Sequence, residues 1–177
     1  MKKYQYQICV SGAAAGDTVR TSHQLAFQLG ESIAKKGHTL ITGATVGLPQ
    51  YAAKGATQAG GLSVGFSPAA THREHVFSYR LPTEEFSYIN FTGMEYVGRD
   101  VYLVRSSDAV ITVGGRKGLH GISCCHCSVI EAPDARIPGR CSKHVDVVAA
   151  NLSLLVNRGI VHIVLRKVNS HNYGKCR

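Results

Sequence analysis

What this 177-residue sequence lacks narrows it first. No apolar run approaches the roughly 20 residues that a helix needs to cross a bilayer, so a membrane span is excluded. Met1-Lys2-Lys3-Tyr4-Gln5 has no apolar signal core, and the chain therefore reads as cytoplasmic. Neither a Ser-His-Asp order nor paired carboxylates present themselves, so a hydrolytic triad gets no support. No basic helix and no basic strand interleaved with aromatics is present, which speaks against nucleic acid as a partner. Cysteine is scarce where the pattern is clearest: Cys9 stands alone among the first 118 residues, while Cys124, Cys125, Cys127, Cys141 and Cys176 crowd the last 59. A cytoplasmic chain keeps its thiols reduced, so disulfides are the weaker reading.

What is present is ordinary globular composition, 44% hydrophobic and 18% charged, with room for one sizeable core. A single domain over residues 1–177 is the expectation. The formal net charge of +9 suits an anionic ligand, and would equally suit a solvated surface.

Through residue 118, apolar runs alternate with helical patterns. Ile8-Cys9-Val10 is a short strand ending in Ser11-Gly12. Asp17 or Thr18 then caps a helix carrying Leu25, Leu29 and Ile33, closed by Lys35-Lys36-Gly37. His38 to Thr42 is a second strand, Pro49 to Ala59 a helix, and Leu62 to Phe66 a third strand broken at Ser67-Pro68. Residues 69–85 are polar and irregular; they read as a long functional or mobile loop that includes His72, Arg73 and His75. Phe86 to Phe91 is a fourth strand, Met94 to Arg105 a helix, and residues 108–113 a fifth strand. Strict alternation predicts an α/β fold, a Rossmann-like parallel sheet with helices on both faces. Beyond residue 118 only Val145 to Val156, as a helix, and Ile160 to Val168, as a strand, keep a clear period.

Three glycine-bearing turns fall at the carboxyl ends of strands: Ser11-Gly12, Gly43-Ala44-Thr45-Val46-Gly47, and Gly114-Gly115-Arg116-Lys117-Gly118. Ligands of parallel sheets bind at that edge, and such turns offer backbone amides to a phosphate. Ser11, Gly12, Gly43, Thr45, Gly47, Gly114, Gly115, Arg116, Lys117 and Gly118 are accordingly the candidate phosphate or nucleotide contacts. Asp108 reads as starting its strand, and Glu95 as a solvated helix position.

These features carry a resemblance. Ser11-Gly12, the turn ending Val46-Gly47-Leu48, Ala59-Gly60-Gly61, and above all Arg99 nine residues ahead of Asp108 and then Gly114-Gly115 are similar to the LOG-type nucleotide phosphoribohydrolases, a family named for lysine decarboxylase. The resemblance implies a homodimer that takes nucleoside 5'-monophosphates and hydrolyses the N-glycosidic bond without a metal or other cofactor. It makes Arg99 the catalytic helix arginine. It also implies a glutamate in Pro-Gly-Gly-x-Gly-Thr-x-x-Glu, to stabilise the ribosyl cation.

That motif is broken here. Val113 replaces the proline, two residues separate the glycines, Leu119 replaces the threonine, and the nearest following glutamate is Glu131. The departures look less like the cytokinin-activating members than like relatives whose role is poorly defined, some of which resemble molybdenum-cofactor carriers. A binding or carrier protein of the same fold is the alternative reading. Read one base along, one possible coding of His120 to Ser128 gives Met-Glu-Phe-Arg-Ala-Ala-Ile-Ala, so a shifted frame near residue 118 is one account of the break. A rival account takes Cys124, Cys127, Cys141 and His144 as a four-ligand zinc site.

Overall fold

The computed structural model describes residues 5–114 and 161–165. Six strands form one sheet in the order β4-β3-β2-β1-β5-β6, where β1 is Gln7–Gly12, β2 Thr39–Thr42, β3 Ser63–Ser67, β4 Tyr88–Phe91, β5 Ala109–Val113 and β6 Val161–Leu165. The first five are mutually parallel, as the alternation predicts. β6 departs from that expectation by pairing antiparallel with β5, Ala109 opposite Leu165.

Helix α1 (Asp17–Lys35) and helix α2 (Leu48–Gln58) cover one face; helix α3 (Glu95–Arg105) covers the other. The strands explain the division, because successive side chains of a strand point to opposite faces. Ile8, Val10, Leu40, Ile111 and Val113 pack with Ala26, Leu29, Ile33, Leu48, Ala52, Ala53 and Ala56 of α1 and α2. Cys9, Ile41 and Val110 pack instead with Leu103 of α3. Full burial of each branched side chain contributes roughly 1.5–3 kcal/mol. Both faces of β1 and β5 are covered, which is why these strands read as continuous apolar runs rather than alternating ones.

α1 and α2 touch backbone to backbone. A Cβ on Gly30 would overlap the Ala52 carbonyl, and one on Gly55 would overlap that of Phe27. The chain runs from β1 to β4 in one direction across the sheet, then returns through α3 to place β5 on the other side of β1. The strand order therefore reverses between β1 and β5.

Three sequence expectations are corrected by the structure. Neither Asp17 nor Thr18 caps α1: Gly16, at φ 90°, precedes the helix, and no side chain caps it. Residues 69–85 are not merely a mobile loop. Glu74–Ser78 form a π-helical turn whose His75 is fully buried. The fourth strand is also shorter than its apolar run, starting at Tyr88.

Candidate functional site

The carboxyl edge of the sheet gathers the three glycine turns. Gly12 pairs in register with Val113, and a Cβ on it would stand 2.6 Å from the Val113 carbonyl, so only glycine allows this approach of β1 and β5. Gly47, at φ 85°, lies against Ala13 and Ala14, and the Leu48 amide donates to the Ala13 carbonyl at 2.9 Å. Gly114, at φ 58°, lies against Thr18 of α1. The exits of β1, β2 and β5 thus meet where the strand order reverses, which is where open parallel sheets bind ligands.

Local chemistry leaves this edge receptive to an anion. α1 and α2 both begin there, each after a glycine and neither with a side-chain cap. Asp17 already supplies negative charge to the first turn of α1, and it pairs with Arg20 at 3.1 Å on the surface. The first turn of α2 contains no acidic residue, and Pro49 occupies a position that needs no amide partner. Its positive dipole end is therefore uncompensated by any side chain of that turn. In the turn leading to it, Ala44 is held at φ 51°, an uncommon conformation for a non-glycine residue, by an amide donating to Thr42 Oγ1 at 3.1 Å.

Arg99 is brought to the same edge from the α3 face, but it is buried, at 4% exposure. Its Nη1 donates to the Phe66 carbonyl of β3 at 3.2 Å, and its guanidinium lies over Gly43, where any Cβ would overlap Nη1. Nε stands 3.2 Å from Asp100 Oδ1, within ion-pair reach, yet that contact lacks hydrogen-bond alignment and leaves Nε without a hydrogen-bonded partner. Cζ lies 5.7 Å from the centre of the Tyr96 ring. Burial pushes the guanidinium pKa down, opposed by Asp100, Cys9 and Tyr96. Burial raises the Asp100 carboxyl in turn, and Arg99 opposes that rise. Arg99 therefore fastens the β2 turn to β3 and α3.

Beside it, the exit of β3 is closed by side chains. Pro82 offers His75 only a carbonyl, so Nε2 must carry the proton of that 2.9 Å bond. Nδ1 lies 2.8 Å from Ser67 Oγ, and that oxygen accepts from the Ala69 amide at 3.0 Å. Thr92 Oγ1 donates to the Ser67 carbonyl at 2.7 Å.

The structure brings together Ser11, Gly12, Gly43, Thr45, Gly47, Gly114 and, from the opposite face, Arg99. Gly115, Arg116, Lys117, Gly118 and Glu131 lie outside the described residues, as do Cys124, Cys127, Cys141, His144 and residues 145–156. Among the described residues no cluster of metal-ligating side chains occurs, and no helix is long and apolar enough to cross a membrane. Residues 5–114 hold eight Lys or Arg and eight Asp or Glu, so the excess positive charge of the chain is carried elsewhere. The sequence reading missed Tyr96 and the His75–Ser67 pair. The only signal for either was the density of aromatic and polar residues around the π-helical turn.

This is the architecture of a Rossmann-like protein whose strand order reverses between β1 and β5. Residues 5–122 match the SLOG cluster4 family, and the chain belongs to it. It is 37% identical over 112 residues to an uncharacterized protein of Archaeoglobus fulgidus, covering 63% of this chain and 67% of that one. Among solved structures it is similar to the molybdenum cofactor binding protein of Rippkaea orientalis, at 30% identity and a TM-score of 0.57, covering 69% of this chain and 71% of that one. The molybdenum cofactor carrier protein of Chlamydomonas reinhardtii follows at 27% identity and a TM-score of 0.57, covering 69% and 70%. The structure of TM1055, 24% identical at a TM-score of 0.55, shares the fold; there the match covers 63% of this chain and only 62% of that one.

Proposed function

We propose that this protein binds and holds a phosphate-bearing small molecule, a nucleoside monophosphate or the molybdenum cofactor (a pterin phosphate), at the exits of β1, β2 and β5. The observation that carries this reading is the meeting of three glycine turns with the uncapped start of α2, at the switch point of the sheet. The likeness to two molybdenum-cofactor proteins supports it.

Holding the ligand, rather than cleaving it, follows from the side chains. A phosphate needs amides and cations, whereas a developing ribosyl cation needs a carboxylate. Ser11-Gly12, Gly43 to Gly47 and Gly114 contain no carboxylate, and Arg99 is tied to Phe66 and Asp100. The phosphoribohydrolase activity implied by the LOG-type resemblance is thus the weaker half of the reading. The homodimer rests on that resemblance alone.

Calorimetric titration with AMP, ribose 5-phosphate and a pterin phosphate, followed by chromatography for released base, tests the proposal. Saturable binding without free base is expected. Absence of binding to all three overturns it, and rapid release of base would restore the hydrolase. Loss of one electrostatic stabiliser typically costs about a hundredfold to a thousandfold in rate, so any residual hydrolysis should be slow.

A further inference from the structure

An aromatic pair stands beside the phosphate turn with no packing role in either core. Tyr96, in the first turn of α3, is 45% exposed, and its ring meets Tyr79 edge-to-face at 5.6 Å between centres. A guanidinium that is only 5% exposed lies 5.7 Å from the Tyr96 ring. The same guanidinium covers Gly43. One continuous path therefore leads from the β2 turn through Arg99 to Tyr96. Phe77, Met94 and Val97 are exposed apolar residues of the π-helical turn and the start of α3, at 74%, 45% and 78% exposure.

Leaving this much aromatic surface in water is costly unless something flat covers it. Arg99 fixes the ring from within, so little further ordering is needed when a ligand stacks there. From these contacts we infer that Tyr96, braced by Tyr79 and Arg99, is the stacking platform for a flat nitrogen heterocycle whose phosphate is held at Gly43 to Gly47. The ligand class is then a purine nucleotide or a pterin phosphate, not a bare sugar phosphate. This inference rests on the phosphate site proposed above. It adds a ring subsite on the α3 face, so the ligand would bridge the two faces across the edge of β2.

The test compares wild type, Tyr96→Ala, Tyr96→Phe and Tyr79→Ala by calorimetric titration with AMP, neopterin monophosphate and ribose 5-phosphate. Thermal melts confirm that each variant is folded. Stacking of a base on an aromatic side chain predicts that Tyr96→Ala weakens one or both ring-bearing ligands by roughly five- to 150-fold. Binding of ribose 5-phosphate should not change, and Tyr96→Phe should keep wild-type affinity. The ligand that loses more identifies the ring. Unchanged binding of both ring-bearing ligands to Tyr96→Ala overturns the platform and leaves the phosphate site standing. An equal loss for ribose 5-phosphate overturns it too, by making Tyr96 a scaffold residue. If sedimentation shows that Tyr96→Ala abolishes self-association while ring binding persists, the surface belongs to a second copy of the chain. Failure of wild type to bind any of the three ligands removes the phosphate site and the platform together.

Discussion

The two halves of the sheet's carboxyl edge are built in opposite ways. At β1, β2 and β5 the chain turns on glycines, and α1 and α2, which follow β1 and β2, carry no side-chain cap. At β3 and β4 the polar groups are closed internally by Ser67, His75 and Thr92. A half that satisfies its own backbone has nothing left to offer a ligand. A half of glycine turns and helix starts without side-chain caps is where the proposed anion would sit, and Arg99 and Tyr96 stand at the seam between the two.

The largest effect is expected beneath the glycine half. α1 and α2 pack backbone to backbone because Gly30 lets α1 lie against the Ala52 carbonyl, which is backbone and cannot rotate away. Gly30→Ala should destabilise the fold by about 3 kcal/mol or more, as overpacking at a rigid contact does. Denaturant unfolding checks this. A loss under about 1 kcal/mol would show that the helices separate easily, and their close packing would lose its structural basis.

Next is the closed half. His75→Leu keeps a similar volume but removes the ring partner of Ser67 Oγ and of the half-buried Pro82 carbonyl, whose bonds to the ring are 2.8 and 2.9 Å, while Ser67 Oγ keeps the Ala69 amide. Loss of these two bonds predicts a cost of about 1–2 kcal/mol in thermal or denaturant unfolding. Phosphate binding by the folded variant should be untouched, because this network lies outside the glycine half. A weakened phosphate site would erase the distinction drawn between the halves.

How far the sequence revealed this contrast depends on distance along the chain. β1 and β5 were legible because strands buried on both sides are unbroken apolar runs, and the glycine turns because they directly follow those runs. Arg99 was legible as a helix residue, but not as a buried one. Its burial depends on Gly43, 56 positions earlier, having no Cβ, and on the Phe66 carbonyl, neither of which leaves a local trace. His75 reads as a loop residue because its neighbours Thr71, His72, Arg73 and Glu74 are polar. Only the π-helical turn carries it under Phe91, with ring centres 5.7 Å apart. The cap of α1 was misplaced for a similar reason. Asp17 has the right chemistry, but the loop closes one residue sooner, on Gly16.

A smaller change probes the glycine half directly. Gly114→Ala places a Cβ against Thr18 at a residue whose φ is 58°. The left-handed conformation alone costs an alanine about 1–2 kcal/mol, and relief of the contact should shift the turn away from α1. Affinity for ribose 5-phosphate should fall while the melting temperature drops only slightly. Unchanged affinity in this variant would remove the β5 exit from the proposed site.

The smallest effect lies between the halves, in Cys9 of the central strand. Burial pushes its thiol up to about 12 from an ordinary 9.0, outweighing the Ser107 hydrogen bond and the nearby Arg99 charge, which lower it. In the unfolded chain the thiol ionises near 9.0, whereas in the folded protein it keeps its proton until about 12. Above the lower value the unfolded state sheds a proton that the folded state retains. Stability from this group is therefore fully present below pH 9 and declines as pH climbs toward 12. The slope cannot exceed about 1.4 kcal/mol per pH unit. Tyrosines and lysines titrate in the same range, so the comparison that isolates the thiol is with Cys9→Val. Between pH 9 and 10, wild type should lose about 1 kcal/mol more than the variant in urea unfolding. Equal losses would mean that Cys9 meets water in the folded state, and that the α3 face of β1 is open where the Leu103 contact closes it.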